Sequence, residues 1–186
     1  MELSYALTHQ DYLTCFLYQA SQKKQEIRKR KMNRALFSML YVVIAIYFFL
    51  NDNLQAGLFL IFLAFSYYFL YPKYEKARYR KHYAKHIDTN LKEILNQPVT
   101  LLLQPKGIRL EDEGSRAEFN WSKCSKMVEL PTYFLVYFTE ASTLILPKAI
   151  VADLPQLHAI LRHKANDLQI PFIEDLDWNW KKAIIT

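Results

Sequence analysis

The feature that most constrains this chain is a pair of apolar runs split by three polar residues. Residues 35–50 carry no charge, and Ser38 is their only aliphatic hydroxyl. Asn51, Asp52 and Asn53 follow, and residues 54–71 are apolar apart from Gln55 and Ser66. A connector this short makes two helices antiparallel neighbours. The flanks are unlike the connector. Lys23, Lys24, Arg28, Lys29, Arg30, Lys31 and Arg34 precede the first run; Lys73, Lys76, Arg78, Arg80, Lys81 and Lys85 follow the second. The connector has no Lys or Arg. Positive charge stays on the cytoplasmic side of a bilayer, so the pattern predicts a transmembrane hairpin in the inner (plasma) membrane, multi-pass, with both termini cytoplasmic.

The first run has 16 residues, about 24 Å of helix against a hydrocarbon core of about 30 Å. It is short, and a soluble helical hairpin in a large core competes as a reading. Three features favour spanning. Arg34 can snorkel toward headgroups. The second run has 18 residues. Tyr67, Tyr68, Tyr71 and Tyr74 gather at the expected boundary, where amphipathic rings settle. A cleaved leader fits poorly, because the run starts far from Met1 and no small-residue cleavage site follows it. Neither run contains Asp, Glu, Lys, Arg or His, the groups a transport path usually places at membrane depth. No GxxxG is present, and Ala56-Gly57 is the only small-residue pair of note. The hairpin reads as an anchor.

The formal charge of +6 hides a division. The flanks hold 13 of the 24 Lys and Arg residues against two acids, Glu26 and Glu75; they net +11, and the remainder nets −5. Anionic headgroups within a Debye length account for this stalk more simply than nucleic acid, and no nucleic-acid motif accompanies it. Lys29, Arg30, Lys31, Arg34, Lys73, Arg78, Arg80 and Lys81 are the expected anionic-lipid contacts. The stalk is expected to lie close to the lipid and to hold the cytoplasmic domain near it. Cys15 and Cys124, the only cysteines, are expected to stay reduced. Cys124 reads as a packing residue, and palmitoylation of Cys15 lacks a motif.

The pattern predicts a strand over 2–8, with Leu3, Tyr5 and Leu7 on one face and the sheet edge as its place. Thr8 and Asp11 resemble a capping box, with Leu7 and Tyr12 as a staple. Tyr12, Leu13, Phe16, Leu17 and Ala20 follow at helical spacing. No Pro or Gly interrupts the chain from there to Gly57, so one long helix is expected, and the second run is expected to continue past Pro72, with a kink there. His82 and His86 stand four apart, but Lys81 and Lys85 repel a cation and Asp88 alone completes no ligand set. Residues 87–95 still read as helix.

Beyond Pro98 the period changes to two. Strands are expected over 99–103, 108–110, 117–121, 127–130, 133–139 and 143–146, a meander of short antiparallel neighbours. The turns fall at Pro105-Lys106-Gly107, with Gly107 free for positive φ, at 112–115, at Pro131 and at 140–142. Asp153 caps a last helix carrying Leu154, Leu157, Ile160 and Leu161. Val99, Leu101, Ile108, Leu110, Phe119, Trp121, Leu135, Leu146, Leu157 and Leu161 are expected to share one core. The fold class is therefore an α+β membrane protein: a two-helix hairpin with long cytoplasmic helical extensions, plus a small antiparallel sheet or partial barrel closed by a C-terminal helix. Its parts are 1–34 (strand and amphipathic, basic helix), 35–71 (hairpin), 72–97 (basic helical stalk), 98–165 (β domain and helix) and 166–186 (tail).

This order of parts resembles the bacterial YcxB-like family. The matching residues are Leu7-Thr8 with Asp11-Tyr12-Leu13, then Gly107-Ile108, Trp121-Ser122, Tyr133-Phe134-Leu135 and Leu146-Pro147-Lys148. The resemblance spans residues 1 to about 165 and implies a C-terminal domain similar to a bacterial pleckstrin-homology (PH)-like fold. It implies no catalytic residues, and it leaves the tail with Trp178 and Trp180 unplaced.

Trp121 is expected in the core, with ligand stacking as the sharper alternative. Lys148 reads as a strand-to-loop transition, or else as one arm of an anion site. Trp178 and Trp180 share a face if extended, and are the expected partner-binding residues. No phosphate loop, nucleophile elbow, zinc set or carboxylate pair is visible, so no enzyme, cofactor or metal is expected. The favoured expectation is a membrane-anchored interaction or regulatory module whose partners are the bilayer and another membrane protein or peptide, not nucleic acid. The alternative is an envelope-defence or bacteriocin-resistance (immunity-type) factor acting through the hairpin.

Overall fold

A computed structural model describes residues 1–112, 114, 116–138 and 142–180, with 24–26 as backbone only. Among the described residues the fold is α+β, with four α-helices longer than one turn and two four-stranded sheets. The chain divides into two compact units, residues 1–15 with 84–178, and residues 16–83 with the chain end from Asn179.

The first unit is β-rich. Strand β1 (Glu2–Ala6) pairs antiparallel with β2 (Pro98–Leu103), with Leu3 opposite Leu101 and Tyr5 opposite Val99. β3 (Gly107–Glu111) and β4 (Arg116–Asn120) extend the sheet in the order β1-β2-β3-β4. In the second sheet β5 (Cys124–Glu129), β6 (Tyr133–Phe138) and β7 (Thr143–Pro147) form an antiparallel meander. β8 (Phe172–Glu174) joins its edge parallel to β5. Helix α4 (Leu154–Asp167) precedes β8; Asp153 caps it by accepting from the Gln156 N–H at 2.9 Å.

Period-two alternation decides what faces inward. Leu3, Tyr5, Leu101, Ile108, Met127, Phe134, Val136, Phe138, Leu144 and Leu146 form one core with Leu157, Leu161 and Ala165 of α4. Phe119 and Phe138 join the two sheets, their ring centroids 4.9 Å apart. Tyr5 Oη donates to the Ile145 carbonyl at 3.1 Å, so the polar end of a buried ring is satisfied. Trp121 is 4 % exposed, and its Nε1 donates to the Gln104 carbonyl at 3.0 Å.

Helix α1 (His9–Gln22) starts in this unit. Its cap is the half-box in which Asp11 Oδ2 accepts from the Thr8 N–H at 2.7 Å and the Thr8 hydroxyl at 2.8 Å. Asp11 Oδ1 also accepts from Tyr133 Oη at 2.6 Å. Burial, followed by the Asp11 contact, pushes the Tyr133 phenol up to about 12. Burial likewise pushes the Cys124 thiol up to about 11, which keeps it protonated and unreactive.

The second unit holds the two long helices, α2 (Lys24–Leu50) and α3 (Leu54–Asn90, which ends in the first unit). Both are long and apolar enough to cross a membrane. Their apolar side chains face outward: Leu36, Met39, Phe59 and Phe62 are all more than half exposed. The turn between them is built by its polar residues. Asn51 Nδ2 donates to the Tyr47 carbonyl at 2.8 Å, Asp52 takes φ 58°, and Asn53 Oδ1 caps α3 at the Ala56 N–H, 3.2 Å away. Gly57 is buried because Phe49 lies where a Cβ would stand.

Several expectations are corrected. The helix from His9 breaks at Lys23, which takes φ −74° and ψ 91°. The Ser21 hydroxyl bonds back to the Tyr18 carbonyl at 2.6 Å, competing with the last turn. Helix α3 ends at Asn90; Leu91 and a 3-10 turn (Lys92–Ile94) follow, and Asn96 turns at φ 59° to donate to the Leu7 carbonyl. The meander is two sheets rather than one, and neither closes into a barrel among the described residues. Gly107 is not at positive φ; it is required because a Cβ there would strike the Phe119 carbonyl. Trp121 opens a 3-10 turn rather than ending a strand. Leu135 is buried on the opposite face of its sheet from Phe134 and Val136, and Val99 is half-buried outside the core, so neither joins it. Leu154 is exposed. Expected turn residues Glu113, Ser115, Glu140 and Ala141, the strand end Thr139 and the tail beyond Trp180 lie outside the described residues.

Candidate functional site

Two constellations bring charged side chains into buried surroundings, one in each unit; a more exposed set of ion pairs joins Arg109, Glu111, Arg116 and Glu118 across β3 and β4. In the second unit the expected basic residues separate into two sets. Arg30, Arg34 and Arg78 gather around Glu75, whereas Lys73, Arg80 and Lys81 are exposed on α3. The packing follows from a spacing of four on α3, where Tyr67, Tyr71, Glu75, Tyr79 and Tyr83 fall in one stripe. Arg30 and Arg34, one turn apart on α2, meet it. The Arg30 guanidinium lies 4.4 Å from the Tyr79 ring centroid, and its Nε is 3.5 Å from Glu75 Oε1. Both side chains are 10 % exposed. Arg34 lies 4.4 Å over the Tyr68 ring and donates to its hydroxyl at 3.3 Å. Lys31 lines a small recess beside Arg30 and Arg34. Lys29, Arg30, Glu75 and Arg78 line an open groove of about 390 Å³ between the helices. His82 also lines this groove, and His86 Nδ1 is 2.9 Å from Asn90 Nδ2.

In the first unit a buried carboxylate carries the second cluster. Glu129 alternates onto the core face with Phe134 and Leu146 and is 8 % exposed. Lys148 Nζ reaches Glu129 Oε1 at 2.6 Å, and His158 Nε2 reaches Oε2 at 3.2 Å. His158, on α4, packs edge-on against Phe172 and is 3.6 Å from Glu174, which Arg162 holds at 3.0 Å. Glu129, His158 and Glu174 bring one ligand atom each within 4.8 Å of one another. Lys148 and Arg162 already neutralise the two carboxylates, so the chemistry is that of an ion-pair network fastening α4 and β8 to the sheet. Lys148, read from sequence as a turn or one arm of an anion site, has its anion inside the protein. Glu129 was missed because a single acid at a strand end carries no signal until its partners, 19 to 45 residues further on, fold back onto it.

The expected partner-binding tryptophans fall in different units. Trp178 belongs to the first unit, where its N–H donates to the Asp175 carbonyl; Trp180 belongs to the second, against the Tyr79 ring at 6.3 Å. Trp121 is in the core, as described above.

No curated protein and no solved structure matches this chain. Residues 103–161, from the last residue of β2 into α4, match the family described as YcxB-like protein. That span includes the Gly107-Ile108, Trp121-Ser122, Tyr133-Phe134-Leu135 and Leu146-Pro147-Lys148 pieces and leaves out the N-terminal pieces and both long helices. Over residues 103–161 this chain is similar to the YcxB-like family.

Proposed function

We propose that this chain is a membrane-anchored interaction or regulatory module without catalytic activity of its own. In this reading α2 and α3 cross the inner membrane as a hairpin, both termini are cytoplasmic, and the β-rich unit is a PH-like domain on the same side. The observation that carries it is the pairing of β1 with β2. The two strands flank the helices in sequence yet share one sheet. A sheet cannot form across a bilayer, so the chain between them must return to the side it left and cross an even number of times. Two long apolar helices meet that requirement. The basic flanks then assign the shared side to the cytoplasm. The PH-like reading is supported by a four-stranded sheet, a second meander of three strands and a helix packed on the core.

Binding rather than chemistry fits a unit whose buried polar cluster is neutralised from within and whose buried thiol is held protonated. The partner is another membrane protein or peptide, met by the exposed strand β4 at the open edge of the first sheet. An added strand at such an edge is a recurring recognition mode. The test has two arms. In intact cells, Asp52→Cys is expected to react with an impermeant thiol reagent while Lys106→Cys, on an exposed turn of the β-rich unit, is not; labelling of Lys106→Cys but not of Asp52→Cys overturns the orientation. A photocrosslinker replacing exposed Ala117 is expected to capture a membrane protein, and capture of soluble proteins alone overturns the partner class.

A further inference from the structure

We infer that the groove between α2 and α3 is a specific site for one anionic phospholipid, with phosphate between Lys29, Arg30 and Arg78 and an acyl chain in the apolar groove beside it. The inference rests on reading the two helices as membrane spans. The polar groove, about 390 Å³, presents three permanent cations against the single carboxylate Glu75. A second groove, about 500 Å³, is lined by Leu63, Ser66, Tyr67 and Leu70. Tyr71 lines both, so a cationic recess adjoins an apolar one along the same helices. Each volume is in the range of small-molecule sites.

A diffuse basic surface attracts lipid through its field, and any Lys or Arg on it serves equally. Arg30 departs from that pattern. It is nine-tenths buried and stacked on Tyr79; its Nε faces Glu75 at 3.5 Å without a hydrogen bond, and its Nη2 donates to the Ala20 carbonyl at 3.5 Å. A guanidinium offers a fork of donors that matches phosphate oxygens two at a time. Gathering three cations around one acid leaves excess positive charge in a partly desolvated groove, which a bound anion offsets. A free anion would use only the polar half. The apolar half, with tyrosines at the junction, fits the acyl chain of an amphiphile.

The test uses the full chain in phosphatidylcholine nanodiscs. Incorporation is established first, and failure there overturns the membrane reading rather than this site. Native mass spectrometry of the released protein is then expected to show one retained phosphatidylglycerol per chain, bound at least tenfold more tightly than phosphatidylcholine. Lys29→Gln with Arg78→Gln, both at exposed positions, is expected to reduce that preference about tenfold. Arg80→Gln with Lys81→Gln removes the same charge outside the groove and is expected to leave it unchanged. Ser66→Trp, which fills the apolar half, is expected to weaken phosphatidylglycerol binding. Equal losses in the two double variants would mean diffuse attraction and overturn the site. Displacement by inorganic phosphate at the same affinity would mean an anion site without a lipid, and would also overturn it.

Discussion

Replacing Trp121 by Ala probes the point where the first sheet closes over the core. The side chain is 4 % exposed, and it stands in a cluster that includes residues of both sheets and of α4. Removing it deletes a large buried aromatic and leaves a cavity the well-packed surroundings only partly refill, at a cost of about 3–5 kcal/mol. The lost hydrogen bond adds little, because the Gln104 carbonyl also accepts from the Gly107 N–H and is not orphaned. Trp121→Phe keeps most of the volume, so it is expected to cost about 1–2 kcal/mol. Cys124 is a built-in reporter: it is buried in the same cluster, and its thiol is pushed up to about 11 by burial. It therefore labels only when the unit opens. In a Cys15→Ser background, with the full chain in nanodiscs at pH 8, the labelling rate follows the opening constant. At about 1.4 kcal/mol per decade, Trp121→Ala is expected to speed labelling roughly 10² to 10⁴-fold and Trp121→Phe roughly tenfold. An increase of less than about fivefold for Trp121→Ala would refute a core role and return Trp121 to the surface as a stacking residue.

Two further outcomes follow from the same unit and the same assay. Gly107→Ala is expected to cost about 1–3 kcal/mol by forcing β3 away from the Phe119 carbonyl, whereas Gly114→Ala, with open space around it, is expected to stay within about 0.5 kcal/mol. Lys148→Met is expected to cost about 3–5 kcal/mol by leaving the buried Glu129 carboxylate without its closest cation, and adding Glu129→Gln is expected to recover most of that loss; equal stability of the single and double variants would show that the pair is not coupled.

The hairpin was legible in the sequence because its signals are local. Apolar length, the Asn51-Asp52-Asn53 turn and the basic flanks all act on residues close in the chain. The strands over 98–147 were legible for the same reason, since alternation and turn residues are short-range. The pairing of the N-terminal strand with the sheet edge was also within reach, because Leu3 and Tyr5 needed a buried face and β2 supplied one. Tertiary structure alone decided the rest. Alternation cannot tell which of two sheets a strand joins, so the division after β4 and the parallel addition of β8 from the tail were not readable. Helix propensity favours a continuous helix through Lys23, yet the helix breaks there, after the Ser21 hydroxyl has bonded back to the Tyr18 carbonyl. The two charge clusters belong to this class as well. In the sequence Glu75 is one acid in a basic stalk, and Glu129 is a strand residue. What makes each distinctive is burial next to cations from another element, a long-range electrostatic fact that no window of sequence contains.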